Sequence, residues 1–127
     1  VEKGLPEILV HPRLLDQPLL NLMINAIEQM ARGGGSARRL RIEVARQDSS
    51  AGFPLAISVA DTGRGIHWVD REKIFDLFFT TKAQGTGLGL YVSRFFVERF
   101  GGRLSLRESL IFSGSEFVVE IHERLLV

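Results

Sequence analysis

Gly85-Thr86-Gly87-Leu88-Gly89-Leu90 is the stretch around which this chain of 127 residues is organised. Three glycines alternate with other residues, leaving a backbone that reaches positive φ and carries no Cβ to hold a ligand away. Beyond it Leu88, Val92, Phe96 and Phe100 recur every four residues, which predicts a helix fed directly by the loop. Unpaired amides and the positive dipole end at a helix N-terminus favour phosphate or another anion. Taken alone, the pattern fits a flexible glycine hinge as well as a phosphate cradle.

Two upstream stretches share the loop's interest. Leu55, Ile57 and Val59 alternate with smaller residues and predict a strand that ends at Asp61. There Asp61-Thr62-Gly63-Arg64-Gly65-Ile66 sets a carboxylate beside two glycines. Such a carboxylate can accept from a ligand amino group, or it can close an Asx-type turn on its own loop. Further upstream Leu14, Leu15, Leu19, Leu22, Met23, Ala26, Ile27 and Met30 follow helical spacing. Pro18 sits inside that pattern at a cost of about 3 kcal/mol in a regular helix. It predicts a kink, or a fresh start with Asp16 as N-cap. Asn21 and Asn25 interrupt the apolar pattern four residues apart, so they share one face. Either each amide satisfies a backbone group in the core, or the pair offers oxygens to a hard cation such as Mg²⁺.

The remaining segments complete a fold class. Glu7 to Val10 reads as a short strand, and Pro12 suits the first turn of the helix that follows. Gly33-Gly34-Gly35-Ser36 ends that helix. Leu40, Ile42 and Val44 predict a half-buried strand, paired antiparallel with the one ending at Asp61. Val69 to Phe79 reads as a short helical or irregular segment whose Phe75, Phe78 and Phe79 anchor a loop. Thr80-Thr81-Lys82 is a polar, cationic tail suited to phosphate. Arg103 to Arg107 and Glu116 to Ile121 alternate as two more strands. No repeat or linker divides the chain, so residues 1–127 form a single domain. The order predicts an α/β two-layer sandwich: a mixed, mostly antiparallel sheet with about three helices on one face.

Composition narrows the chemistry. Hydrophobic residues make up 45% and charged residues 24%, an ordinary globular balance. A formal charge of +1 makes no case for nucleic acid or a membrane surface. The Arg38, Arg39 and Arg41 cluster reads as a solvated strand edge. The absence of cysteine excludes disulfides, thiol catalysis and cysteine-bound zinc. His11, His67 and His122 lack metal-ligand spacing. No apolar run approaches the roughly 20 residues that span a bilayer, and no signal peptide is visible. A chain opening on Val1 reads as part of a longer protein.

Four boxes in order now carry a resemblance. Asn21-Leu22-Met23-Ile24-Asn25-Ala26, Asp61-Thr62-Gly63-Arg64-Gly65-Ile66, Ile74-Phe75-Asp76-Leu77-Phe78-Phe79-Thr80-Thr81-Lys82 and Gly85-Thr86-Gly87-Leu88-Gly89-Leu90 resemble the N, first glycine, F and second glycine boxes of bacterial sensor histidine kinases. These catalytic ATP-binding domains share a superfamily with DNA gyrase, heat-shock chaperone and mismatch-repair ATPases. Gly101-Gly102 and Gly114-Ser115-Glu116-Phe117 are similar to the family's closing strands. The likeness covers nearly all of the chain. Its short lid resembles the nitrogen-regulation and dicarboxylate-sensor branch.

The resemblance implies roles. Asn25 would coordinate the Mg²⁺ that bridges the ATP phosphates, with Asn21 supporting it. Asp61 would accept from the adenine amino group, Gly63 and Gly65 would let the purine approach, and Ile66 would lie beside it. Ser115 would stand where the family usually has a threonine that helps the aspartate through water. Gly85, Thr86, Gly87, Leu88, Gly89 and Leu90 would meet the phosphates, joined by Thr80, Thr81 and Lys82. Phe75 to Gln84 would form a lid, expected to be mobile from its glycines and polar tail. Superfamily ATPases carry a glutamate where this chain has Asn21, so weak hydrolysis is implied. The implied partners are a histidine-containing dimerisation domain of the same parent and a response-regulator receiver domain, with no nucleic acid and no membrane contact by this stretch. The implied compartment is the cytoplasm, with a parent that the inner membrane could anchor.

Three features depart from the family pattern: Pro18 in the N-box helix, His11 where an aspartate is usual, and the pair His67-Trp68. The P-loop and dinucleotide patterns are absent, since Leu90 stands where the third glycine of G-x-G-x-x-G would be. The rivals are a superfamily ATPase, an anti-sigma-type serine kinase, and a non-catalytic nucleotide sensor.

Overall fold

The computed structural model describes residues 3–32, 37–48, 50–80, 89–110 and 113–127. Helix α1 spans Pro12–Ala31. Strands β1 (Leu40–Arg46) and β2 (Leu55–Asp61) follow, then α2 (Gly89–Arg99), β3 (Arg103–Leu110) and β4 (Gly114–Ile121). The sheet order is β1-β2-β4-β3. Both helices pack together and contact the sheet, giving the two-layer α/β sandwich expected from the order of segments.

Two expected details differ. The sheet is antiparallel at every described pairing rather than mixed. The strands β2 and β3 do run the same way, but β4 inserts between them, so no parallel pair forms. Two α-helices are described rather than about three. Trp68–Asp70 is one 3₁₀ turn, and the chain continues in separate turns closed by Lys73 on Asp70, Asp76 on Lys73 and Phe79 on Asp76. Phe78 holds φ at 68° within them. Likewise Glu7–Val10 forms no strand of its own; Ile8 makes an isolated bridge to Leu126.

Local chemistry explains the helix ends. Pro12 opens α1, and His11 caps it by accepting the Arg13 amide on Nδ1 at 3.3 Å. Histidine thus does the work usually given to aspartate, and Asp16 lies inside the helix, not at its start. The helix runs on through Pro18, whose ring is fully buried. Apolar burial offsets part of the lost hydrogen bond. His67 caps the Trp68–Asp70 turn in the same way, and His122 caps a second 3₁₀ turn, Glu123–Leu125. At the far end of α2, Gly101 N–H reaches the Glu98 carbonyl and Gly102 N–H the Val97 carbonyl, a Schellman stop.

The core lies between the sheet and the helices. Leu55, Ile57 and Val59 of β2 face Phe117, Val119 and Ile121 of β4, under Leu22 and Ala26 of α1 and Val97 of α2. Residues that alternate along each strand share one face, so this apolar face fixes the register. It also places Asp61 and Ser115, opposite each other at the strand ends, on the helix-facing side. Among the described residues, no helix is long and apolar enough to cross a membrane.

Candidate functional site

The site begins where β2 leaves the sheet. Asp61 is buried there, and its Oδ1 accepts the Gly63 amide at 2.8 Å. The Ser115 amide also donates to the carboxylate. Burial pushes the Asp61 carboxyl above the ordinary carboxylate range, against the two amides, which pull it down. Of the two readings of Asp61, the Asx-type turn is therefore present. It occupies only part of the carboxylate, which has about four acceptor sites in all.

Gly63 brings α1 to this point. A Cβ on Gly63 would lie 2.8 Å from the Gln29 carbonyl carbon, 2.9 Å from its oxygen and 3.0 Å from Asp61 Oδ1. Helix backbone and first glycine box are therefore in van der Waals contact. Gly63→Ala is expected to cost about 1–3 kcal/mol by overpacking, read as a lower urea midpoint. An unchanged midpoint would show that α1 can move away freely.

From Gln29, the helix carries a polar stripe past the site. Asn25 lies one turn back at about 6 Å and Asn21 at about 12 Å along the axis. Both asparagines are half-buried. Among the described residues, no hydrogen bond engages either side chain. Gln29 Oε1 is buried and has no hydrogen-bond partner there. An orphaned buried acceptor costs about 1–3 kcal/mol unless something donates to it. Sequence reasoning missed Gln29, although its spacing of four from Asn25 was the available signal.

Behind Asp61 lies a second layer, in which sequence reasoning had named Ser115 and missed Ser109. Ser109 and Ser115 approach Oγ to Oγ at 2.7 Å, and Ser109 Oγ accepts the Ile66 amide at 2.8 Å. Thr62 Oγ1 accepts the Arg39 amide and donates to the Ala37 carbonyl, each at 2.9 Å, tying the box to the start of β1. Gly65 holds φ at 74°. Ile66 packs against the core.

The other expected site residues divide. Thr80 is half-buried, Gly89 is exposed at the start of α2, and Leu90 packs on the core. Thr81, Lys82, Gly85, Thr86, Gly87 and Leu88 lie outside the described residues, as do residues 81–84 of the stretch 75–84 expected to form a mobile lid. The structure thus brings Asp61, Gly63, Ile66 and Ser115 together beside α1. Among the described residues, no group of three or more His, Cys, Asp or Glu could hold a metal ion. A Mg²⁺ held by Asn25 would take its other oxygens from phosphate and water, as that ion commonly does.

Comparison with known proteins agrees with this geometry. The model of a family described as histidine kinase-, DNA gyrase B- and HSP90-like ATPase matches residues 10–125. Sensor histidine kinase ZraS of Escherichia coli O157:H7 is 44% identical over 115 residues, 91% of this chain and 23% of that protein. C4-dicarboxylate transport sensor protein DctS of Rhodobacter capsulatus is 36% identical over 105 residues, 83% of this chain and 15% of that protein. The chain therefore spans less than a quarter of either relative. The crystal structure of full-length ShkA in complex with AMPPNP matches with a TM-score of 0.73 and 32% identity. That match covers 94% of this chain and 23% of the ShkA chain.

Proposed function

Because the chain belongs to the family of histidine kinase-, DNA gyrase B- and HSP90-like ATPases, we propose that it binds ATP and donates the γ-phosphoryl group to a histidine on a separate dimerisation domain. The observation that carries the reading is the buried carboxylate at the exit of β2, beside a glycine packed on the N-box helix. The phosphoryl group would pass onward to a response-regulator receiver domain. The substrate, ATP, points to the cytoplasm as the working compartment.

Each side chain then has a task. Asp61 accepts from the adenine amino group, and Gly63 and Gly65 leave room for the ring. Gln29 Oε1, an acceptor without a partner among the described residues, would take a nucleotide donor. Asn25, supported by Asn21, offers an amide oxygen to Mg²⁺, which would screen phosphate charge during transfer. The α2 start at Gly89 and Leu90, with Thr80, Thr81, Lys82 and the glycine loop Gly85-Thr86-Gly87-Leu88, would meet the phosphates. Asn21 cannot act as a carboxylate base toward water, so hydrolysis by this stretch alone should be slow. That residue favours the kinase over the ATPase reading.

Calorimetric titration with a non-hydrolysable ATP analogue, with and without Mg²⁺, tests the site. The wild type should bind, and Mg²⁺ should tighten binding by about tenfold or more, roughly one charge-assisted contact. Asn25→Ala should lose the Mg²⁺ effect and keep most of the metal-free affinity. Phosphorylation of a separately supplied acceptor domain then tests transfer. A folded wild type that binds nothing would overturn the reading, and rapid hydrolysis without an acceptor would replace it by an ATPase.

A further inference from the structure

Ser109 is the least expected member of the site. It is 1% exposed, lies on β3, and belongs to none of the four boxes. Leu104 and Leu106 of β3 face the core, so strict alternation would turn Glu108 inward and Ser109 outward. A register shift between Leu106 and Glu108 inverts this. Leu106 pairs with Phe117, Glu108 with Glu116, and Ser109 with Ser115. Arg107 is the extra residue, and the bulge re-aims the next side chains. Ser109 consequently sits on the helix-facing side, against Ser115 and one strand from Asp61.

The hydrogen bonds around it have a direction. Ile66 N–H can only donate, so Ser109 Oγ accepts at 2.8 Å. Ser109 and Ser115 then share a 2.7 Å contact in which one hydroxyl must donate. If Ser115 donated, the buried Ser109 proton would need a third partner, and among the described residues Ser109 Oγ has none. Burying an unpaired donor is costly. The reverse arrangement, from Ile66 N–H to Ser109 and from Ser109 O–H to Ser115 Oγ, satisfies the 1% exposed Ser109 and leaves the open proton on Ser115, the less enclosed of the two at 6%. The Ser115 proton is then left to point onward, on the same face as the Asp61 carboxylate.

We propose that Ser109 is a positioning residue that orients the Ser115 hydroxyl as a donor beside the acceptor Asp61, so that the site selects a 6-aminopurine. Adenine offers a 6-amino donor next to the N1 acceptor, which matches an acceptor–donor pair. Guanine offers the reverse order, O6 and N1–H, which does not. Ser115 reaches N1 directly or through one water. This inference rests on the proposed adenine-nucleotide reading of the site.

The test compares a non-hydrolysable ATP analogue with its 1-deaza counterpart, in which a C–H replaces N1. Both are titrated against the wild type, Ser109→Ala and Ser115→Ala, with thermal melts to confirm folding. The wild type should prefer the N1-containing analogue by about tenfold, the worth of one hydrogen bond. That preference should shrink to about twofold or less in either variant, through loss of the intact analogue only. A role limited to structure would weaken both analogues alike and leave the ratio unchanged, which would overturn the proposal. Should Ser109→Ala fail to fold, Ser109→Cys gives the same readout, since a thiol is a weak donor of similar size. A wild type that binds both analogues equally overturns the relay and leaves the ATP reading standing. A wild type that binds neither overturns both.

Discussion

Asp61→Asn is expected to lower affinity for a non-hydrolysable ATP analogue by about 100-fold, the worth of a buried charge-assisted hydrogen bond. The substitution keeps an oxygen for the Gly63 amide, now 2.8 Å from Oδ1, so the turn survives. What it removes is the charge, and what it adds is an NH₂ group where a ligand amine would also donate. Two donors then face each other, which is why the loss exceeds that of one neutral bond.

The same substitution should change the pH response. Burial raises the Asp61 carboxyl above its ordinary range. The folded state therefore holds this proton to higher pH than the unfolded chain does. The sign follows from linkage: between the unfolded and the raised folded pKa the native state binds more protons, so stability falls as pH rises through that window. Above it the cost of a buried charge is fully present. Asp61→Asn should lack that slope and should be at least as stable as the wild type at neutral pH. Binding runs the other way, because protonation removes the acceptor. Wild-type affinity should therefore fall on acidification at a higher pH than an exposed carboxylate would give, while the variant stays flat. Titrations and urea unfolding over a pH series measure both. Equal affinity of the two proteins at neutral pH would remove Asp61 from the site.

Gly114→Ala carries the largest expected cost to the fold. Gly114 holds φ at 111°, in a region that L side chains rarely adopt. A Cβ there would overlap the Asp61 carbonyl oxygen and stand 2.8 Å from its carbon and 3.0 Å from Thr62 Cα. All three are backbone atoms at the point where β2 passes β4, so no side chain can swing aside. We expect a loss of about 3–5 kcal/mol from backbone strain and overpacking together. For a domain of this size that lowers Tm by about 10–20 °C. A shift in the β4 start would also pull Ser115 away from Asp61, so nucleotide binding should fall with stability. A melt within about 2 °C of wild type would show that the strand ends are not held together as described.

Much of this molecule is legible in its sequence, because the deciding signals are local. Period-two alternation marks β1, β2 and β4, and four-residue spacing marks α1 and α2. The asparagine stripe follows from the same spacing, and Asp61 follows from where an alternating run stops. A fresh helix start at Asp16 does not occur, because Pro18 is carried inside α1 with its ring buried, which is a tertiary matter. The turns of residues 68–79 were ambiguous because bulky aromatics fit a helix and an anchored loop equally well.

What the tertiary structure alone decided is who meets whom behind those signals. The single extra residue at Arg107 moves Ser109 from the outer face to the site, and no alternation pattern reveals a bulge, since one inserted position inverts everything after it. The contact of Gly114 with Asp61, and of Gly63 with Gln29, joins segments 53 and 34 residues apart. Backbone approach across that separation is set by how the sheet and α1 pack, not by local preference. The sequence by itself determined the two helices and the four strands of the sheet, because periodicity and turn chemistry act over a few residues. Which side chains meet at the strand ends was decided only when the packed core brought β2, β3, β4 and α1 to one place.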